Sequence, residues 1–172
     1  MESIKILFLA AVACFWATAC TTSAPADASS DNTNVLAPEK NNSSSADIKS
    51  IFEAVQESGE YTTRDSVAAY LCKFDKLPTN YVTQNEGKSL YESRKGKTFD
   101  KWNFNPWTTI GVMIGGDKFG NSEGLLPKGT YHEADVDYSA KNRGTKRLVY
   151  QNDCVIYYTA DHYETFSKLE IQ

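Results

Sequence analysis

The chemistry this sequence can do is concentrated in a few charged residues of its C-terminal half. In His132-Glu133-Ala134-Asp135-Val136-Asp137-Tyr138 a period of two puts Glu133, Asp135 and Asp137 on one strand face, with Ala134, Val136 and Tyr138 on the other. Carboxylates in such a row repel one another and need cations opposite. Arg143, Thr145 and Arg147 share one face across a turn of Ser139 to Asn142, so cross-strand pairing sets two guanidiniums beside Glu133 and Asp135. His162 follows the apolar strand CVIYYT in the polar exit ADH, which sets it at the rim of a sheet, near solvent. These are the parts needed to cleave RNA through its own 2′-hydroxyl: a base for that proton, an acid for the departing 5′ oxygen, and cations for the phosphorane. Blander readings stand beside this one: a salt-bridge ladder on a solvated face, and a surface histidine in a turn. A zinc site built on His132 and His162 lacks a supporting cysteine cluster, so neither metal nor cofactor is expected.

The elements that must position these groups change period along the chain. ADIKSIFEAVQESGEY puts Ile48, Ile51, Phe52 and Val55 at helical spacing, with Asp47 as N-cap, which predicts a short amphipathic helix within 47–62. Thr63 caps a second helix, RDSVAAYLCKF, and the capping box Thr83-Gln84-Asn85-Glu86 opens a third. MIGGDKF, TYHEADVDY, KRLVY, CVIYYT and TFSKL then read as strands between Gly, Asn and Asp turns, with KRLVY and CVIYYT joined through Gln151-Asn152-Asp153. Helices followed by strands give an α+β fold, N-terminal helices packed on a five-stranded antiparallel sheet.

The N-terminus reads differently. Ile6 to Trp16 is an apolar run behind Lys5, too short to span a bilayer and shaped like an export signal over 1–19. Cleavage after Ala19 leaves Cys20 first, as in a lipoprotein, although Ala17 holds the position where Leu is usual; a lipid anchor at Cys20 is favoured over free secretion. Residues 20–46, rich in Ser, Thr, Ala, Asn and Pro, form a tether without a core. The net charge of −4 lies in residues 1–64, because acidic and basic residues balance from Asp65 onward. Of the four cysteines, Cys72 and Cys154 remain in the exported domain, either as a disulfide or as two buried thiols.

From about Thr63 to the C-terminus the sequence resembles the barnase-like family of bacterial guanyl-specific ribonucleases. The likeness is carried by LPTNYVT, IGGDKFGNSEGLLP, EADVDY, the Arg143 and Arg147 pair, and TADHYETFSK. It implies the microbial ribonuclease fold over 63–172, acting as a monomer on single-stranded RNA. Cleavage 3′ of guanosine through a 2′,3′-cyclic phosphate, without a metal, is the implied reaction. Glu133 corresponds to the family's general base, His162 to its acid, Arg143 and Arg147 to the phosphate grip, and Asp135 to the acidic residue orienting them. Glu123, with backbone around Asn121 and Ser122, corresponds to the guanine reader, and Tyr163 to an aromatic lining the site. The resemblance sets Cys72 late in the first helix of the domain against Cys154 at a strand start, which implies a bridge, and it implies a barstar-like inhibitor protein. Gln84 replaces the family's active-site lysine and Ser122 the arginine before the guanine-reading glutamate. The loop 101–109 is longer and more aromatic than the family's, and LLPKGTYHEAD is shorter. Loss of two cations leaves a second reading, a weakened module that binds RNA or a nucleotide on the same fold.

Overall fold

The structure is a computed structural model, and it describes residues 44–171. The expected export signal, the anchor candidate Cys20 and most of the tether lie outside the described residues.

The first helix, α1 (Ser45–Ala54), starts earlier than its apolar spacing suggested. Ser44 is its N-cap, and Asp47 occupies the third helical position, where its carboxylate returns a hydrogen bond to the Ser44 N–H at 3.1 Å. The reciprocal box satisfies two otherwise orphaned donors, which a cap at Asp47 could not. Residues 45–46, assigned above to the tether, are therefore helical. The helix also ends sooner, at Ala54, where Val55 turns extended. Ile48, Ile51 and Phe52 pack on the main core, and Val55 is buried in it. Lys73, from the next helix, donates to the carbonyls of Phe52, Glu53 and Val55 at 3.1, 3.2 and 2.8 Å. Those are the acceptors a helix C-terminus leaves open, so a cation there both bonds and complements the dipole.

Helix α2 (Arg64–Phe74) buries Val67 to Leu71 and closes on Asp75 in the left-handed region. Thr63 sits at the N-cap, but its hydroxyl bonds that of Ser66 at 2.8 Å, and the Arg64 N–H is taken by Asp137 at 3.1 Å. Helix α3 (Gln84–Lys95) carries the expected Thr83–Glu86 capping box. Helix α4 (Pro106–Ile110) begins within the stretch 101–109 read as a loop; Asn105 caps it, Pro106 opens it and Gly111 ends it at φ +67°.

One sheet runs in the order β1 (Tyr81–Val82), β2 (Met113–Phe119), β3 (Tyr131–Asp135), β4 (Arg147–Gln151), β5 (Val155–Thr159), β6 (Ser167–Lys168). The strands β2 to β6 form the five antiparallel strands expected. A sixth, β1, pairs parallel with β2 and corrects the strand count. Two residues carry no readable alternation, so only the pairing reveals it. A bulge in β2 between Gly115 and Lys118 interrupts its register with β3, and Gly116 at φ +95° supplies the backbone for it. The main core lies between α1, α2 and the sheet; a second, around Ile110, Val112 and Ile114, lies under α3, and a third holds Leu126, Tyr131 and Val149. Cys72 of α2 is bridged to Cys154, with Cα atoms 4.3 Å apart and a sequence separation of 82.

Candidate active site

Asp135 is the hub. It ends β3 with a side chain 1% exposed and faces Arg147 of β4 in register. The Arg147 Nε lies 2.7 Å from Oδ1, an ion pair in contact although its N–H makes no aligned hydrogen bond. Its other nitrogens donate to the Lys146 and Gly144 carbonyls at 2.7 and 3.2 Å, so this guanidinium is buried and largely committed to backbone. Arg143 forks onto the same carboxylate, Nε to Oδ2 and Nη2 to Oδ1 at 2.9 Å. Tyr138 donates to Oδ2 at 2.6 Å, and Tyr81 to the Asp135 carbonyl at 2.7 Å. Two guanidiniums against one carboxylate leave a net positive charge. It reaches solvent through Arg143, 13% exposed against 2% for Arg147. Burial pulls Arg143 toward the neutral form, but its bonds and charge pairing with Asp135 outweigh that and raise its pKa. Burial, then the Asp135 charge, raise the Tyr138 pKa, which keeps that hydroxyl a donor.

The arrangement departs from the alternation read in the sequence. Asp137 does not share the Glu133 and Asp135 face. It has φ +50°, and its carboxylate turns to the start of α2 while its N–H bonds Thr62. A helix N-terminus offers that carboxylate N–H partners that a row of like charges cannot. Arg143 and Thr145 precede β4 in the loop 136–146, within which Ser139 and Asn142 do close the expected turn. Both arginines consequently pair with Asp135, and Glu133 faces Val149 instead.

Glu133 is held by two other residues. Tyr163 donates to its Oε2 at 2.5 Å, and the Gln84 amide to its Oε1 at 3.3 Å. Gln84 is aimed by its own N–H, which donates to Asp117 at 2.7 Å from the bulged stretch of β2. Burial and the Glu133 contact raise the Tyr163 pKa above its ordinary value, so the phenol stays protonated. The Arg147 charge acts on Tyr163 in the opposite sense.

His162 lies beyond β5 in a loop organised by Asp161. That carboxylate accepts from the Thr159 and Thr165 hydroxyls and from the N–H groups of Glu164 and Thr165. The Thr159 hydroxyl accepts the Tyr163 N–H at 2.9 Å. So many bonds hold His162 and Tyr163 at φ +63° and +79°, a region non-glycine residues avoid and in which strain collects at functional sites. The His162 ring is exposed and lies 4.6 Å from that of Tyr163. Both border a cavity of about 280 Å³ whose other walls include Asn121, Ser122, Glu123 and the exposed Leu125. The Asn121 side chain braces this loop from within, exchanging bonds with Leu126 at 2.7 and 3.1 Å.

The structure thus gathers Asn121, Ser122, Glu123, His162 and Tyr163 around one cavity, ties Glu133 to it through Tyr163, and sets Asp135, Arg143 and Arg147 as a separate cluster. His132 goes elsewhere: its Nδ1 lies 3.0 Å from the Gly116 carbonyl. Among the described residues no group of three or more His, Cys, Asp or Glu side chains is positioned to hold a metal. Sequence reasoning missed Tyr138 as a partner of Asp135, because alternation put it on the opposite face. It noted Trp102 only as part of an aromatic loop, whereas the ring lies against Arg143.

Comparison with known proteins places the chain in a family. The sequence profile described as ribonuclease matches residues 64–170. A ribonuclease of Heyndrickxia coagulans is 40% identical over 111 residues, 62% of this chain and 95% of that protein. A ribonuclease of Bacillus intermedius is also 40% identical, the match covering 62% of this chain and 64% of that protein. Guanyl-specific ribonuclease St of Saccharopolyspora erythraea is 44% identical over a shorter stretch, 30% of this chain and 54% of that protein. With more than half its length matched by that profile, the chain belongs to the bacterial ribonuclease family.

Proposed function

We propose that this ribonuclease is an exported endonuclease that cleaves single-stranded RNA 3′ of guanosine by transphosphorylation. The observation that supports it most is the single cavity bordered by Glu123, His162 and Tyr163, with Tyr163 bonded to Glu133. Glu133 takes the 2′-hydroxyl proton as the 2′ oxygen attacks phosphorus. The bond to the 5′ oxygen breaks, and His162 gives that oxygen its proton, leaving a 2′,3′-cyclic phosphate and a 5′-hydroxyl. Water then opens the cyclic phosphate with the two roles exchanged. Arg143 meets the charge that develops on the phosphoryl oxygens, Asp135, itself paired with Arg147, holds it there, and Glu123 with the backbone at Asn121 and Ser122 reads the guanine edge. All of these groups are protein side chains or backbone, so cleavage is expected to survive chelation.

The decisive assay is cleavage of RNA oligonucleotides with end mapping, against Glu133→Ala and His162→Ala controls. Cuts after guanosine that vanish in both variants support the reading, and the rate should depend on pH as a bell, because the base must be ionised and the acid protonated. Wild-type rates in either variant would overturn the assignment. Gln84 in place of a cation at Glu133 favours a second reading, binding of RNA without turnover; retention of uncut oligonucleotide under the same conditions would establish it. The mass of the mature N-terminus tests export: a lipid on Cys20 supports the anchor, and an unprocessed Met1 overturns both anchor and secretion.

A further inference from the structure

Trp102 touches the arginine of the pair that reaches solvent, and nothing in the proposed chemistry uses it. The Arg143 Cζ lies 5.5 Å from the centre of the Trp102 ring, within the range in which an indole face attracts a guanidinium. The same guanidinium is forked on Asp135. A fork of two parallel hydrogen bonds fixes the in-plane direction of the group but leaves it free to tilt out of the carboxylate plane. A ring against its face blocks that tilt on one side. Asp135 engages Nε and one hydrogen of Nη2, so the remaining donors of Arg143 are on the edge turned away from the carboxylate.

Trp102 is itself firmly held. It packs against Phe99 and Phe104, with ring centres 4.6 and 5.5 Å away, and against the core of Ile110, Val112 and Ile114. Its Nε1 is buried without a hydrogen-bond partner in the protein, so packing alone fixes the ring. Gly87 of α3 provides the room. A Cβ there would stand 2.6 Å from Ile114 Cδ1 and 3.0 Å from Trp102 Cη2. Glycine inside a helix is unfavourable relative to alanine, and this close approach accounts for its presence. The long aromatic loop 101–109 thereby acquires a task.

We infer that Trp102 is a positioning residue: seated over Gly87, it holds the Arg143 guanidinium at the orientation in which its free edge meets the scissile phosphate. The inference rests on the proposed function, in which Arg143 makes that contact. The test uses Trp102→Leu, Trp102→Met and Trp102→Phe, with Arg143→Ala and Glu133→Ala as controls. Cleavage kinetics on one RNA oligonucleotide and competitive inhibition by inorganic phosphate are read for each folded variant. Trp102→Leu should weaken phosphate inhibition and lower kcat/KM, each by about two- to thirtyfold, the range a cation–π contact implies from exposed to desolvated sites. Trp102→Phe, which keeps a ring face, should recover most of both, and a merely structural role would leave phosphate inhibition unmoved. Should Trp102→Leu fail to fold, Trp102→Met decides, because it fills more of the indole's volume but offers no ring face: weaker phosphate inhibition supports the inference and unchanged inhibition overturns it. Loss of activity in Arg143→Ala with no change in the Trp102 variants overturns the inference and leaves the proposed function standing. Wild-type activity in Arg143→Ala and Glu133→Ala removes the proposed function and the inference together.

Discussion

At the scale of residues, Asp135 carries the largest electrostatic burden. It pairs with two guanidiniums, one of them 2% exposed. Asp135→Ala leaves a buried guanidinium without its counter-charge, and breaking such a pair typically costs about 3–5 kcal/mol. Urea unfolding should show that loss; a variant as stable as wild type would mean that the backbone carbonyls at Gly144 and Lys146 suffice. Gln84 and Ser122 are the positions where the resemblance expects cations, and Gln84 lies against Glu133. Removing one transition-state donor costs on the order of 10²- to 10³-fold, so Gln84→Lys and Ser122→Arg should each raise kcat/KM by up to about that factor. The pair should gain less than the product of the single gains, since neighbouring groups do not act independently. Unchanged or lower kcat/KM in both single variants would show that this site stabilises its transition state in another way. Asp161 sets the acid limit of the His162 loop. Its hydrogen bond from the Thr165 hydroxyl leads the causes that lower its pKa from 3.8 to about 2. A depressed folded pKa means that the unfolded chain binds the proton more readily, so the contribution is full above the unfolded value and is lost as pH falls from 3.8 toward 2. Amide signals of residues 159–165 should change in that window, and in Asp161→Asn the change should be absent.

At the scale of elements, α1 lies before the part of the chain matched by the ribonuclease profile, yet it is packed into the main core. Its C-terminal carbonyls depend on Lys73, an exposed cation whose ammonium also lies 5.6 Å from the Phe52 ring. Lys73→Met should loosen α1 by up to about 1 kcal/mol, the usual contribution of a cation at a helix C-terminus. Hydrogen exchange should quicken over residues 45–55, with cleavage kinetics unchanged. Equal exchange in the two proteins would mean that Ile48, Ile51, Phe52 and Val55 hold α1 by burial alone. In the sheet, the β2 bulge has a consequence for the candidate site: it brings Asp117 to the start of α3, and through it directs Gln84 at Glu133.

At the scale of the whole molecule, the Cys72–Cys154 bridge ties the end of α2 to the β4–β5 hairpin, beside a hydrogen bond from the Asp153 N–H to Asp75 at 3.2 Å. Closing a loop with a sequence separation of 82 residues contributes roughly 4–5 kcal/mol by restricting the unfolded chain. Reduction, or Cys72→Ser with Cys154→Ser, should lower the urea midpoint by an amount of that order without moving KM, because the bridge borders neither the cavity nor the Asp135 cluster. A midpoint unaffected by reductant would mean that the unfolded chain keeps these two segments together without the bond.

The sequence by itself determined what is local or periodic. The α3 capping box, the five antiparallel strands and the exposed position of His162 at a strand exit all depend on near neighbours, and they appear where the residues put them. The motifs from LPTNYVT to TADHYETFSK also identified the ribonuclease family, since residue types in fixed order survive where geometry cannot be read. Tertiary structure decided everything that turns on one backbone torsion or one distant partner. Asp137 leaves the carboxylate row because a helix N-terminus, far away in sequence, offers it an N–H. Arg143 meets Asp135 from a loop, not from a strand, and Tyr138 joins them from a face that alternation had excluded. The parallel strand β1 and the seat of Trp102 over Gly87 are likewise invisible in the chain, because each exists only as a contact between segments separated in sequence.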